Sequence, residues 1–142
     1  MGESAKHLEL LSYILSHIEK TYVDMDSVVT IHDLPGTIGC EKPPTIGGFR
    51  PDVYAIDAPL TRTIIGEAKT QGDLERDHSA AQCRAFISFL RLQPNPVFII
   101  AVPWQAHALA RTLILAIQRE LDASGRATTP GARDTFMSAP PF

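Results

Sequence analysis

Two carboxylates and one ammonium lie where a single β-hairpin would bring them together. Asp52 follows Pro51 at the head of an apolar, β-prone run, and Glu67-Ala68-Lys69 closes the next such run 15 positions later. If the intervening loop Ala58-Pro59-Leu60-Thr61 closes between Asp57 and Arg62, Asp52 faces Glu67 across the ladder. Directly opposed residues have Cβ atoms about 4.5–5.5 Å apart, and like charges at that distance destabilise a sheet unless a cation intervenes or one carboxyl takes up a proton. Lys69 points to the same face as Glu67 by the period-two rule, while Ile64, Gly66 and Ala68 point the other way and can pack beneath a helix. Oxygen donors of this kind suit a hard cation such as Mg²⁺ or Mn²⁺. Such an ion activates water and neutralises charge on a phosphodiester, and a lysine beside it can orient the water or stabilise the developing charge.

The elements that must position this trio follow from periodicity. From Ser4 to Tyr22, Leu8, Leu11, Ile14, Leu15 and Ile18 recur at helical spacing behind a candidate N-cap at Ser4. Ser27–Ile31 reads as a first strand. The stretch 32–49, with Gly36, Gly39, Gly47, Gly48 and three prolines, reads as a long irregular loop, and loops of that length are usually functional. Pro51–Asp57 and Arg62–Lys69 form the hairpin. Leu74–Leu92 is a second helix, Pro96–Val102 a strand buried on both faces, and Ala106–Leu121 a third helix. The order, three hairpin-related strands and then a helix and a further strand, predicts a mixed sheet with helices on its faces. Residues 1–123 are the expected domain, and 124–142, with Gly125, Pro130, Gly131, Pro140 and Pro141, a flexible tail with little to bury.

At these residues the chain resembles the PD-(D/E)xK nuclease superfamily, whose restriction-endonuclease-like fold carries Pro-Asp, a variable gap, and then Asp/Glu-x-Lys at the end of the following strand. Neither dipeptide nor tripeptide is specific alone; their conjunction at the proper strand ends, over roughly Ser4 to Leu121, carries the resemblance. It implies an α/β fold with an αβββαβα core and a mixed central sheet flanked by helices. It also implies a Mg²⁺-dependent nuclease, with Mn²⁺ able to substitute, hydrolysing phosphodiester bonds in nucleic acid, DNA ahead of RNA. Asp52, Glu67 and the Ala68 carbonyl would hold the metal, and Lys69 would serve the nucleophilic water. Gln82-Cys83-Arg84-Ala85-Phe86 is similar to the Gln-x-x-x-Tyr element of the exonuclease and resolvase branches, which adds Gln82 to the catalytic set and places Phe86 where Tyr is expected. Some branches add an acid from the first helix, for which Glu9 and Glu19 are both candidates.

Other residues carry weaker signals. His7, His17, His32, His78 and His107 form no i, i+4 pair, but His78 lies one helical turn before Gln82 and on its face. Cys83 reads as a small core residue. The glycines form neither a dinucleotide-binding nor a phosphate-loop motif. Lys42, Arg50, Arg62, Arg76 and Arg84 are candidates for phosphate contacts. Trp104, between the last strand and the third helix, either caps the core or stacks a base.

Composition bounds the rest. A chain of 142 residues, 44% hydrophobic and 20% charged, is one domain with a real core. The longest apolar run, Val97–Trp104, is far shorter than the roughly 20 residues of a membrane span, and no signal-peptide centre is expected at the N-terminus. Cys40 and Cys83 lack metal-ligand spacing, so a reducing, cytoplasmic setting is expected. The net charge of −3 argues against a wholly basic nucleic-acid coat. The third helix carries apolar residues on one line at 109, 113 and 117 and on another at 108, 115 and 116. The second line is expected to meet a second subunit in a homodimer, or else a tail carrying Phe136, Met137 and Phe142. At this length targeting would come from a partner protein. The alternatives to a nuclease are a catalytically inactive nucleic-acid-binding or protein-assembly module of the same fold and a small protein-interaction domain.

Overall fold

A computed structural model describes residues 5–22, 28–32, 42–57, 62–124 and 133–138. The Ser4 cap, the Ala58–Thr61 loop, Cys40 with most of the long loop, and Phe142 with much of the C-terminal stretch lie outside these residues.

The first helix, α1 (Ala5–Thr21), buries Leu10, Leu11, Ile14 and Ile18 along one stripe and ends with Lys20 against the negative end of its dipole. The strands β1 (Val28–His32), β2 (Val53–Asp57) and β3 (Thr63–Ala68) follow. Then come the short helix α2 (Gln71–Leu74), the helix α3 (Asp77–Leu90) and the strand β4 (Pro96–Val102). A 3₁₀ turn at Trp104–Ala106 leads into α4 (His107–Ala123), and β5 (Arg133–Ser138) closes the order.

These strands form one mixed sheet in the order β1-β2-β3-β4-β5, flanked by helices. The first three are antiparallel neighbours, and β4 and β5 each run parallel to the strand before. The hairpin pairs Val53 with Gly66 and Ile56 with Thr63, the register that a loop closing between Asp57 and Arg62 requires. Every residue of β3 and of β4 is buried, as expected of strands covered on both faces. On one face α1 packs its stripe over Val53, Ala55, Ile64, Ala68, Ile99 and Ala101. Gly66 makes this approach possible, because a Cβ there would stand 2.8 Å from Ile14 Cγ2. On the other face Ile65, Phe98, Ile100 and Val102 meet Phe86, Ile87 and Leu90 of α3 and Ala110, Ile114 and Ile117 of α4.

Three expectations are corrected. The helix over Leu74–Leu92 is broken in two. Thr70 and Asp73 form a capping box that starts α2, and Arg76 then adopts an extended backbone (φ −95°, ψ 140°) from which α3 starts afresh. The C-terminal tail contains β5, since the free edge of β4 offers a ladder that composition alone does not reveal. Finally, α4 buries one line, Ala110-Ile114-Ile117-Leu121, and Leu109 lies outside it, 38% exposed. The small Ala110 turns this line toward the sheet, so Leu109 and Leu115 flank the contact instead of defining it. No helix among the described residues is long and apolar enough to cross a membrane.

Candidate functional site

The antiparallel ladder ends at Val53 and Gly66, and the next two residues continue it through their side chains. The Asp52 N–H donates to Glu67 Oε1 at 2.9 Å, and the Ala68 N–H donates to Asp52 Oδ2 at 2.9 Å. Each carboxylate therefore reaches across the strand gap and is held by backbone of the opposite strand. These bonds fix both groups in place and satisfy two donors that the ladder no longer pairs. The outer oxygen of Asp52, Oδ1, lies 3.7 Å from His7 Nε2 at the start of α1. Lys69, which follows β3, is anchored by its own N–H to the Ala101 carbonyl of β4. Its Nζ lies 3.2 Å from Glu67 Oε2 and donates to Gln82 Oε1 of α3 at 2.5 Å.

Glu67 is only 2% exposed and Lys69 8%. Burial, and then the charge of Asp52, push the Glu67 carboxyl up to about 8, against the pull of Lys69 and of its hydrogen bonds. The trio is thus one positive charge short when both acids ionise, and a proton on Glu67 makes up the difference. Cys83, one residue beyond Gln82, is fully buried, and that burial pushes its thiol up to about 12, so it is an inert core residue.

These groups line a cleft of about 490 Å³ whose other walls are His7, Thr70, Asp73, Arg76, His78 and Ser79. The segment from α2 into α3 supplies Thr70, Asp73, Arg76, His78 and Ser79, and α1 supplies His7. The turn at Ile46–Phe49, with Gly47 and Gly48 at positive φ, packs against α3 and sets Phe49 edge-on to His78, the ring centroids 5.4 Å apart. A Cβ on Gly47 would stand 2.9 Å from that of Ala85, so only glycine permits this docking.

Comparison with protein-family models, with curated proteins and with solved structures finds no match.

All four side chains expected to do chemistry, Asp52, Glu67, Lys69 and Gln82, line one cleft together with Ala68, and His78 joins them. Phe86 is fully buried and takes no part in the cleft. Glu9 and Glu19 are exposed and lie outside it; the first helix contributes His7 instead. Of the five basic residues suggested for phosphate, Arg76 alone lines the cleft. Arg62 lies over the Tyr22 ring at 5.2 Å, and Arg84 pairs with Glu120 at 2.8 Å. His7, Thr70 and Ser79 were missed because no spacing motif marks them; the Thr70-x-x-Asp73 capping box was the one available signal.

The donor set fits a hard divalent cation. Asp52, Glu67 and the Ala68 carbonyl supply only oxygen, and a carboxylate driven toward protonation by burial and a like charge is one that a dication would relieve. Among the described residues no three His, Cys, Asp or Glu side chains converge on one point.

Proposed function

We propose that this chain is a divalent-cation-dependent nuclease of the PD-(D/E)xK superfamily, hydrolysing phosphodiester bonds in nucleic acid, with DNA the favoured substrate. The observation that carries this reading is the clamp at the mouth of the hairpin: two opposed carboxylates held by backbone N–H groups, beside a buried lysine tied to both Glu67 and Gln82. The order of α1, β1–β3, α3 and β4 supports it. Neutral acceptors would satisfy the same two backbone N–H groups, whereas two opposed acids add a repulsion that a cation or a proton must relieve.

Asp52, Glu67 and the Ala68 carbonyl would hold Mg²⁺ or Mn²⁺. When bound, the cation supplies Lewis-acid activation of water and neutralisation of phosphate charge. Lys69 is held by Gln82 and Glu67 so that its Nζ cannot swing to solvent, and it donates a hydrogen bond to the attacking water or to a non-bridging phosphate oxygen. Arg76 and His78 line the cleft and offer donors to the neighbouring phosphates. In the reaction the water oxygen forms a bond to phosphorus as the bond to the leaving sugar oxygen breaks, and the proton lost by water replaces the one that the sugar oxygen takes up.

A twofold dimer through the outer face of α4, where Leu109 and Leu115 are exposed, belongs to the same proposal, and sedimentation reads it directly. The test of the activity is cleavage of end-labelled DNA and RNA with Mg²⁺ added or chelated. Cleavage should require the cation and disappear in Lys69→Ala, while salt-dependent binding persists. Binding without cleavage by the wild-type chain under every cation would leave the inactive-module alternative in its place.

A further inference from the structure

Trp104 is the chain's one tryptophan, and it is 55% exposed. It does not cap the core; the residue that does so here is Ala106, which is fully buried. Its exposure is built into the fold. Pro103 leaves β4 at φ −57°, ψ 148°, and the Ala106 N–H closes the 3₁₀ turn onto the Pro103 carbonyl at 2.9 Å. The indole is therefore carried on a short, hydrogen-bonded turn between a buried strand and a buried helix stripe.

Its position relates it to the cleft. β3 and β4 run parallel with Ala68 beside Ala101, and the Lys69 N–H donates to the Ala101 carbonyl at 3.0 Å. The two strands therefore leave the sheet side by side, one toward Lys69 and Thr70 and the other toward Trp104. Parallel neighbours lie about 4.8 Å apart. Trp104 thus stands on the same edge of the sheet as the clamp, one strand over, without forming a wall of the cleft. Leu92, the most exposed large apolar residue at 70%, lies at the opposite end of β4, and Phe49 near the cleft is half-buried and set edge-on to His78, which leaves Trp104 as the exposed large aromatic at the clamp's end of the sheet among the described residues.

We propose that Trp104 is a stacking platform for an unpaired base of the strand whose phosphate occupies the cleft, so that the substrate is single-stranded or locally opened nucleic acid. This rests on the nuclease reading of the neighbouring site and adds a specificity element to it. Bases in a duplex have both faces covered by their neighbours, whereas a base in a single strand can give one face to an indole, and such stacking tolerates any sequence. The cations that line the cleft, Lys69 and Arg76, set the phosphate backbone, and the indole then selects the strand whose bases are free.

Because Trp104 is the sole tryptophan, emission excited at its red edge reports on this residue and no other. The full wild-type chain is titrated in EDTA, where the proposed reaction does not run, with a 20-nucleotide oligo-dT, with a blunt duplex of equal length, and with inorganic phosphate. The oligo-dT should quench the emission, while duplex at the same concentration and phosphate should not. By anisotropy of a labelled oligo-dT, Trp104→Ala should bind about tenfold or more weakly, and Trp104→Phe should recover most of the loss. Binding by anisotropy with unchanged emission, equal affinity in Trp104→Ala, or no single-strand binding at all overturns the proposal. So does a blue shift that grows with protein concentration alone, since the indole is then covered by a second copy of the chain. The two readings fail separately. Cation-dependent cleavage with a silent Trp104 removes the stacking platform and keeps the nuclease, and quenching without cleavage under any cation does the reverse.

Discussion

Replacing Glu67 by glutamine tests the electrostatics of the clamp without changing its shape. Glu67 is fully buried, accepts the Asp52 N–H and faces the Lys69 ammonium, and its carboxyl is pushed from the ordinary range up to about 8. A carboxyl whose folded pKa exceeds its unfolded one binds a proton on folding. Its contribution is complete below the unfolded value of about 4.3, falls as pH rises, and is gone above about 8. Each pH unit inside that window removes up to about 1.4 kcal/mol, so the whole swing has a ceiling near 5 kcal/mol, of which up to about 4 kcal/mol falls between pH 5 and 8.5. Glutamine carries no charge, but one of its two contacts then sets donor against donor, a fixed cost of about 1–3 kcal/mol at every pH. The diagnostic quantity is therefore a slope. Urea unfolding of both proteins in EDTA, at several values between pH 5 and 8.5, gives the stability difference, in which contributions from other titrating groups cancel. The wild type should hold its advantage at pH 5 and lose up to about 4 kcal/mol of it by pH 8.5, and saturating Mn²⁺ should abolish the trend. A difference that stays constant with pH would refute the reasoning.

Divalent-cation affinity should rise with pH up to about 8, by as much as tenfold per unit, because Glu67 must shed its proton to bind; titration calorimetry in buffers of different ionisation enthalpy reads the released proton. Gln82→Ala frees Lys69 to move and should lower the cleavage rate about 10- to 100-fold while Mn²⁺ affinity stays within a few-fold of wild type. Gly66→Ala sets a methyl 2.8 Å from Ile14 Cγ2 and 3.2 Å from Val53 Cβ, and should cost about 1–3 kcal/mol in denaturant unfolding; an unchanged midpoint would mean that α1 is free to shift.

Much of the site was legible because a hairpin's register follows from where its loop closes, and that register alone brings Asp52 opposite Glu67. The α1 stripe and the doubly buried β4 were equally plain, since their periodicities are strong. The split between α2 and α3 was not. Leu74 lies in step with the α3 apolar face, and the Thr70–Asp73 box that starts a separate helix competes with that periodicity only locally. β5 is a tertiary decision, made by the open edge of β4 and not by the mixed composition of Arg133–Ser138. His7 reaches the clamp through the packing of α1 over Gly66, a relation between elements that no spacing within α1 records. The exposure of Trp104 likewise depends on Ala106, a much smaller residue, taking the buried position in the turn.

If Asp52 and Glu67 form a seat for a divalent cation, an anomalous-difference map from crystals soaked in Mn²⁺ will show it. One strong peak is expected between the two carboxylates and beside the Ala68 carbonyl, absent from Asp52→Asn crystals soaked in the same way. An empty clamp in the wild-type chain, at a Mn²⁺ concentration that supports cleavage, would contradict it.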